Sequence, residues 1–341
     1  MSGEYSALLN RVLDGSSLTQ TEAAELMHAM AGGEIENALA GALLAGLRAK
    51  GETADEIRGF ATAMRKLARK PVIGDGIPTV DTVGTGGDGS GSLNLSTGTA
   101  LLAAACGARV VKHGNRSISS RSGSADMLEC LGMPLPQEGR AIGDALEALG
   151  FTFLFAPAFH PAMKEIMPVR NALGVRTVFN LLGPLTNPAE PPFMLIGAFS
   201  PGAAKLMADA LAGMPIERAF VVHGEPGWDE ATPVGEFLIY DVAPGSVKQS
   251  HRNPEDYGLP RCRPEDLAGG DADHNARELK RVFSGDDKGA HRDALLMGTS
   301  LVLEVTGVVD SMREGVTLAA DAIDSGRTSD FLDRFSEFYS T

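Results

Sequence analysis

Two runs of residues between Asp81 and Asp126 have the makings of a site for a phosphorylated ligand. The first is Gly84-Thr85-Gly86-Gly87-Asp88-Gly89, followed by Ser90, Ser92 and the Asn94-Leu95-Ser96-Thr97 stretch that opens a helical segment. Its spelling matches GxGxxG, a pattern also used by dinucleotide-binding folds. Those folds need an acidic residue about 20 positions further on to grip a ribose. Here that region reads LLAAACGARVV and holds no acid, and the GxxxxGK[ST] pattern is absent as well. What remains is a glycine turn that lets backbone approach a phosphate, beside a helix start whose free N–H groups and partial positive charge favour anions. A tight strand–helix turn with a capped helix would use the same residues.

The second run is Lys112-His113-Gly114-Asn115-Arg116-Ser117-Ile118-Ser119-Ser120-Arg121-Ser122-Gly123-Ser124-Ala125-Asp126. It offers cations, an imidazole, an amide and five hydroxyls. Lysine serves phosphate as a point charge, while serine and asparagine donate to phosphate or ribose. A solvated serine-rich loop is the plainer reading, and the position one helix after the first loop argues against it.

The elements that would position these loops follow from periodicity. Leu8, Leu9 and Val12, then TEAAELMHAMAGG, ENALAGALLAGLRAKG and TADEIRGFATAMRKLAR, repeat apolar residues at helical spacing, so residues 3–70 read as four short helices ended by Pro71. PTVDTVGTGG, RVVKHG, FTFLFAP, PFMLIGAF, RAFVVHG and EFLIYDV are β-branched or aromatic runs that read as strands. Strand–loop–helix–strand units without a hairpin signal imply a parallel sheet. Ligand crevices in such sheets form at the carboxyl ends of strands, where both loops would lie. DALLMGTSLVLEVTG and MREGVTLAADAIDSG read as helices on that sheet, and 250–275 reads as loop. The expected fold is α/β. A small all-helical subdomain (1–72, completed by helices from about 160–190) accompanies a larger α/β domain (73–159 and 191–341) with a mainly parallel central sheet flanked by helices.

Composition narrows the class. With 341 residues, two domains are expected, and 43% hydrophobic content suits a sizeable core. A net charge of −14 argues against a nucleic-acid or acidic-membrane binder, so an anionic ligand must be held locally. Cys106, Cys130 and Cys262 form no CxxC pair, which suits a reducing cytoplasm better than a disulfide or zinc framework. The opening residues show no secretion signal, and the longest apolar run, Thr99 to Val111, is too short to span a bilayer.

Four segments, DTVGTGGDGSGSLNLST, KHGNRSISSRSGSADMLECLG, HPAMKEIMPVRNALGVRTVFNLLGPLTNP and GWDEATPVGE, resemble in order and spacing the signatures of anthranilate phosphoribosyltransferases. The resemblance covers nearly the whole chain. It implies transfer of the phosphoribosyl group of phosphoribosyl pyrophosphate to anthranilate, with magnesium as cofactor, and a homodimer. Gly84, Gly87, Asp88, Ser92, Asn94, Leu95, Ser96 and Thr97 would hold pyrophosphate and ribose. Lys112, His113, Gly114, Asn115, Arg116, Ser117, Ile118, Ser119, Ser120 and Ser124 would close over the same ligand. Ser96, Asp229 and Glu230 match magnesium-contacting positions. Arg170 would pair with the anthranilate carboxylate, with Gly84, Asn115, His113 and His160 around the acceptor. Lys112, Asn115 and Arg170 would carry catalysis.

Some positions depart from that pattern: Leu93 replaces an aromatic residue, and Leu296-Met297-Gly298-Thr299-Ser300 replaces a small apolar run. Related readings are a nucleoside phosphorylase, disfavoured by Asp88 and Arg170, a paralogue with another acceptor, and a non-catalytic nucleic-acid binder, disfavoured by the charge.

Overall fold

The computed structural model describes residues 2–74, 76, 78–117 and 121–340. Four helices open the chain: α1 (Ser2–Leu13), α2 (Gln20–Ala31), α3 (Asn37–Lys50) and α4 (Ala54–Leu67). α2 and α4 each begin with a capping box, Thr19 with Glu22 and Thr53 with Glu56, which satisfies donors at the exposed start of the helix. Glu56 does more than cap. It is fully buried and also accepts from Leu18 N at 2.8 Å and from Lys50 Nζ at 3.1 Å, tying α3, α4 and the turn before α2 together.

The chain then alternates strand and helix: β1 (Val80–Gly84), α5 (Leu95–Ala105), β2 (Val110–Gly114), α6 (Ser124–Cys130), α7 (Ala141–Leu149) and β3 (Phe151–Phe155). A helical return follows, α8 (Ala156–Phe159), α9 (Met163–Leu173) and α10 (Phe179–Leu182), before β4 (Phe193–Gly197), α11 (Pro201–Leu211) and β5 (Arg218–Gly224). The last elements are β6 (Phe237–Ala243), β7 (Ser246–Arg252), α12 (Ala272–Phe283), α13 (Ala290–Val305), α14 (Met312–Asp324) and α15 (Arg327–Ser340).

One seven-stranded sheet runs β3-β2-β1-β4-β5-β6-β7. β1 to β5 are parallel, and β6 and β7 are antiparallel additions at one edge. Successive residues along the inner strands serve opposite faces, as strand geometry requires. Leu195, Phe220 and Val222 join a core with α5, α6 and α12–α15, whereas Met194, Ile196, Ala219 and Val221 join the core made by α1–α4 and α9–α11. The opening helices therefore share their apolar core with one face of the sheet. α9 packs on α2 and α3.

β7 and the helices α12 and α15 were not expected from the sequence. β7 reads SVKQSHR, has no buried face and sits at the sheet edge, where a polar strand resists edge-to-edge pairing. The 250–275 segment contains two short 3-10 turns, Pro254–Tyr257 and Pro264–Leu267. Leu267 O accepts from Leu93 N at 3.0 Å, so this segment braces the first glycine loop. Leu93 is buried there, and Gly298 lies so close to Thr99 of α5 that a Cβ would stand 2.3 Å from its Oγ1. Both departures from the expected motif thus sit inside packed contacts. No helix among the described residues is long and apolar enough to cross a membrane.

Candidate active site

Three strands end in glycine where the chain crosses over them. A Cβ on Gly84 would stand 2.3 Å from Asp229 Oδ2, on Gly197 1.5 Å from the Asp229 carbonyl oxygen, and on Gly224 2.1 Å from the Glu230 carbonyl oxygen. Gly84 and Gly197 are direct partners across β1 and β4. The missing side chains let the Asp229-Glu230 segment lie directly on the carboxyl ends of β1, β4 and β5. That is the location predicted for a ligand crevice.

The first loop is fastened to the same acids. Gly86 and Gly87 have φ of 70° and 74°, a left-handed conformation that glycine adopts without cost from a Cβ. Gly86 N donates to Asp229 Oδ2 at 2.6 Å, and Asp229 N donates to Asp88 Oδ2 at 3.3 Å. Asp88 Oδ1 accepts from Ser90 N and Ser90 Oγ, both at 3.0 Å, and Ser90 Oγ lies 3.2 Å from Ser92 Oγ. Asn94 is engaged internally. Its side chain exchanges hydrogen bonds with Ser122 and accepts from Asn275 Nδ2 at 2.8 Å, pinning the second loop and α12 to the start of α5. Leu95 and Thr97 are buried in α5, and the Thr97 hydroxyl has no hydrogen-bond partner among the described residues.

Below the acids lies Lys112 at 1% exposure, donating to the Thr82 carbonyl and to Ser96 Oγ at 3.3 Å. Burial pulls its ammonium down, while Asp81, Glu230 and Asp229 draw it up. Burial and the neighbouring Asp88 push Asp229 up, and burial with Asp229 pushes Glu230 up to about 8. Like charges held in a desolvated place would be relieved by a cation. Hard carboxylate oxygens with the Ser96 hydroxyl beside them are the donors magnesium prefers, with substrate phosphates completing its shell. The donor set therefore fits that ion.

The second loop turns sharply at Gly114, where a Cβ would meet Ser124 Oγ at 2.6 Å. Asp126 gathers the loop, accepting from Ser117 N at 3.1 Å and Gly123 N at 2.8 Å. Asn115 is exposed, and its Oδ1 accepts from Arg116 N at 2.7 Å. The Arg116 guanidinium faces Asp126 and Glu129 at 3.0 and 2.5 Å, so its charge is engaged on the loop's own scaffold. Ile118, Ser119 and Ser120 lie outside the described residues.

His113 and His160 stack edge to face with ring centres 5.1 Å apart. Burial drives them down to about 3 and about 4, so both are neutral at pH 7. The Nε2 of each is buried without a partner among the described residues. Arg170, on α9, lies 5.3 Å from the centre of the Phe179 ring, and desolvation alone pulls its pKa down. No described carboxylate pairs with it. A desolvated, unpaired guanidinium is a ready receptor for a carboxylate, which it can grip with two parallel hydrogen bonds.

Several residues of this site were given no role from the sequence although they lie inside the quoted segments. Asp81 is fully buried under Lys112 and accepts from His113 N at 3.1 Å and Asn187 Nδ2 at 2.9 Å. Asn187 also donates to Val111 O, bridging β1 and β2. Arg176 reaches the Gly87 carbonyl from the crossover after α9. The signal for Asp81 was an acid inside an otherwise apolar strand, and Asn187 stood in the LTNP end of a quoted segment with nothing to give it a role.

Residues 6–68 match the helical bundle domain of the glycosyl transferase family, and residues 76–329 match that family's a/b domain. The anthranilate phosphoribosyltransferase of Rubrobacter xylanophilus is 43% identical over 327 residues, 96% of this chain and 95% of that protein. The enzyme of the same name from Solibacter usitatus is 46% identical over 93% of this chain and 94% of its own length. Among solved structures, the anthranilate phosphoribosyltransferase of Thermus thermophilus superposes with a TM-score of 0.91 at 44% identity, covering 98% of this chain and 99% of that one. The Saccharomyces cerevisiae enzyme in complex with phosphoribosyl pyrophosphate and magnesium gives 0.86 at 26% identity, covering 100% and 99%. With both domain signatures in place and relatives matched from end to end, the chain belongs to the anthranilate phosphoribosyltransferase family.

Proposed function

We propose that this chain transfers the phosphoribosyl group of phosphoribosyl pyrophosphate to the amine of anthranilate, releasing pyrophosphate in tryptophan biosynthesis. The observation that carries this reading is the crowding of Asp229 and Glu230 onto glycine strand ends, beside buried Lys112 and beneath a glycine loop. Such a place demands a cation and a polyphosphate together. Magnesium, which the yeast relative binds together with the donor substrate, would when bound supply Lewis-acid stabilisation of the departing pyrophosphate.

The chain's own residues do the rest. Gly84, Gly87, Asp88, Ser92, the start of α5 from Asn94 to Thr97, the residues from Lys112 to Ser117, and Ser124 surround the donor. Ser96, Asp229 and Glu230 would hold the metal. Asn94 and Arg116 act through the loops they fasten, since their side chains are already engaged. Lys112 and the positive end of the α5 dipole offset negative charge on the leaving group. Arg170 receives the acceptor carboxylate, and Asn115 orients the amine toward C1 of the ribose. His113 and His160, neutral and packed together, wall the acceptor without taking its proton. Positioning of a neutral aromatic amine then accounts for much of the rate.

The same reading divides the chain into a helical unit (1–72 with 160–190) and an α/β unit (73–159 with 191–341), and takes the enzyme as a cytoplasmic homodimer. Its test is an acceptor panel read as pyrophosphate release. Anthranilate supports release, and benzoate, with the carboxylate but no amine, occupies the site without turnover. Release that ignores the acceptor, or that needs a different one, contradicts the assignment.

A further inference from the structure

Arg176 stands on the crossover between α9 and α10, six residues after Arg170. Three contacts meet at this one exposed residue. Its carbonyl accepts from Arg48 Nη1 of α3 at 2.6 Å, and its Nη2 donates to the Gly87 carbonyl. Its guanidinium carbon lies 4.1 Å from the centre of the Phe199 ring, just past β4. Phe199 N in turn donates to Thr85 Oγ1 at 3.0 Å, and that hydroxyl lies 3.4 Å from Asp229 Oδ2.

The loop reached this way has glycine at 86, 87, 89 and 91, so its middle has few side chains to fasten it. Gly86 N and Asp88 meet Asp229, and Gly91 O and Leu93 N meet the 267–269 turn, which holds the loop to the α/β side. Arg176 links it to the crossover after α9.

We propose that Arg176 is a positioning residue that couples the two substrate sites. It ties the phosphate-binding loop to the crossover that follows α9, the helix that bears Arg170, so that filling one site raises affinity at the other. The inference rests on the substrate assignment above. A ligand that orders the loop also orders the crossover through this tie, and the second ligand then has less to order. The coupling is reciprocal by thermodynamic necessity. A guanidinium suits the task because its face stacks on Phe199 while its edge donates to Gly87. A lysine ammonium cannot do both.

The experiment is calorimetric titration of anthranilate with and without saturating magnesium pyrophosphate, a pair that cannot react. It uses the unmodified protein, Arg176→Ala, Arg176→Lys and Phe199→Leu. The ratio of the two Kd values in the unmodified protein should exceed that in Arg176→Ala by about 5-fold or more. Anthranilate affinity alone should move by less than about 2-fold, because the acceptor carboxylate is assigned to Arg170 and the Arg176 guanidinium is engaged by Gly87 and Phe199. Arg176→Lys should fail to restore the ratio, and Phe199→Leu should lower it. In ligand-free protein, amide exchange across 84–91 should speed up in Arg176→Ala, a readout that needs no substrate.

A ratio of one in the unmodified protein, or one unchanged by the substitution, overturns the coupling. So does an equal loss of affinity for both ligands with the ratio kept, which would mark a merely structural role. Failure of the unmodified protein to bind either ligand would instead strike the substrate assignment, and the coupling would fall with it.

Discussion

Replacing Gly197 with alanine tests whether glycine strand ends are what place the acidic pair. Gly197 lies in a strand with ordinary backbone, so the substitution adds no conformational strain of its own. The added carbon would stand 1.5 Å from the Asp229 carbonyl oxygen, where real Cβ atoms essentially never come within 3.0 Å. The segment must therefore retreat by roughly 1.5 Å, and overpacking of this kind costs about 1–3 kcal/mol of stability. Misplacement of a positioning group by about 1 Å can lower turnover by roughly 100-fold. Gly197→Ala should accordingly stay folded, lose about two orders of magnitude in kcat, and need more magnesium for half-maximal rate. The control is Gly202→Ala near the start of α11, where nothing lies within 4 Å. The assay is initial rate against magnesium concentration, with a denaturant midpoint for each variant. A folded Gly197→Ala protein with unchanged kcat and magnesium dependence would refute the reasoning.

Three further outcomes follow from the same structure. Arg170→Ala should raise the anthranilate KM by roughly 10–100-fold, the worth of a lost charge-assisted pair, and leave that for the donor nearly unchanged; steady-state kinetics in both substrates checks this, and an equal rise for both contradicts it. Glu56→Ala removes the acid from a buried pair with Lys50 and should cost about 3–5 kcal/mol by denaturant unfolding; a loss under about 1 kcal/mol would show the network is dispensable. His160, held near 4 against an ordinary 6.5, is neutral in both states above pH 6.5, but below it the unfolded chain binds the extra proton. Its contribution is thus whole above pH 6.5 and lost as pH falls toward 4, by on the order of 3 kcal/mol. Unfolding midpoints from pH 7 to 4 should fall less steeply in His160→Asn, and parallel slopes would count against the buried neutral pair.

Much of the architecture was legible because burial writes itself into sequence. The four opening helices and the first six strands carry apolar periods that match their buried faces, and the parallel part of the sheet follows from strand and helix alternating. β7 escaped because an edge strand with Lys248 and Gln249 exposed has no apolar period to show. The 250–275 segment escaped because its order comes from contacts with Leu93 and Gly91, which are distant in sequence. The site divides in the same way. Glycines, a lysine and hydroxyls crowded into two loops announce anion chemistry locally. Asp81 and Asn187 meet across 106 positions, and nothing near either of them signals the other. Arg176 lies in a quoted segment, yet its hold on Gly87 exists only once the crossover is folded beside the loop. Arg116 shows the reverse: a cation in a phosphate-like run whose charge is taken by Asp126 and Glu129.

The most direct measurement is the loss of anthranilate fluorescence on mixing this protein with anthranilate and phosphoribosyl pyrophosphate, with and without magnesium. Rapid loss that requires both the donor and magnesium is the predicted result. Unchanged fluorescence, in folded protein that demonstrably binds the donor, would contradict anthranilate as the acceptor.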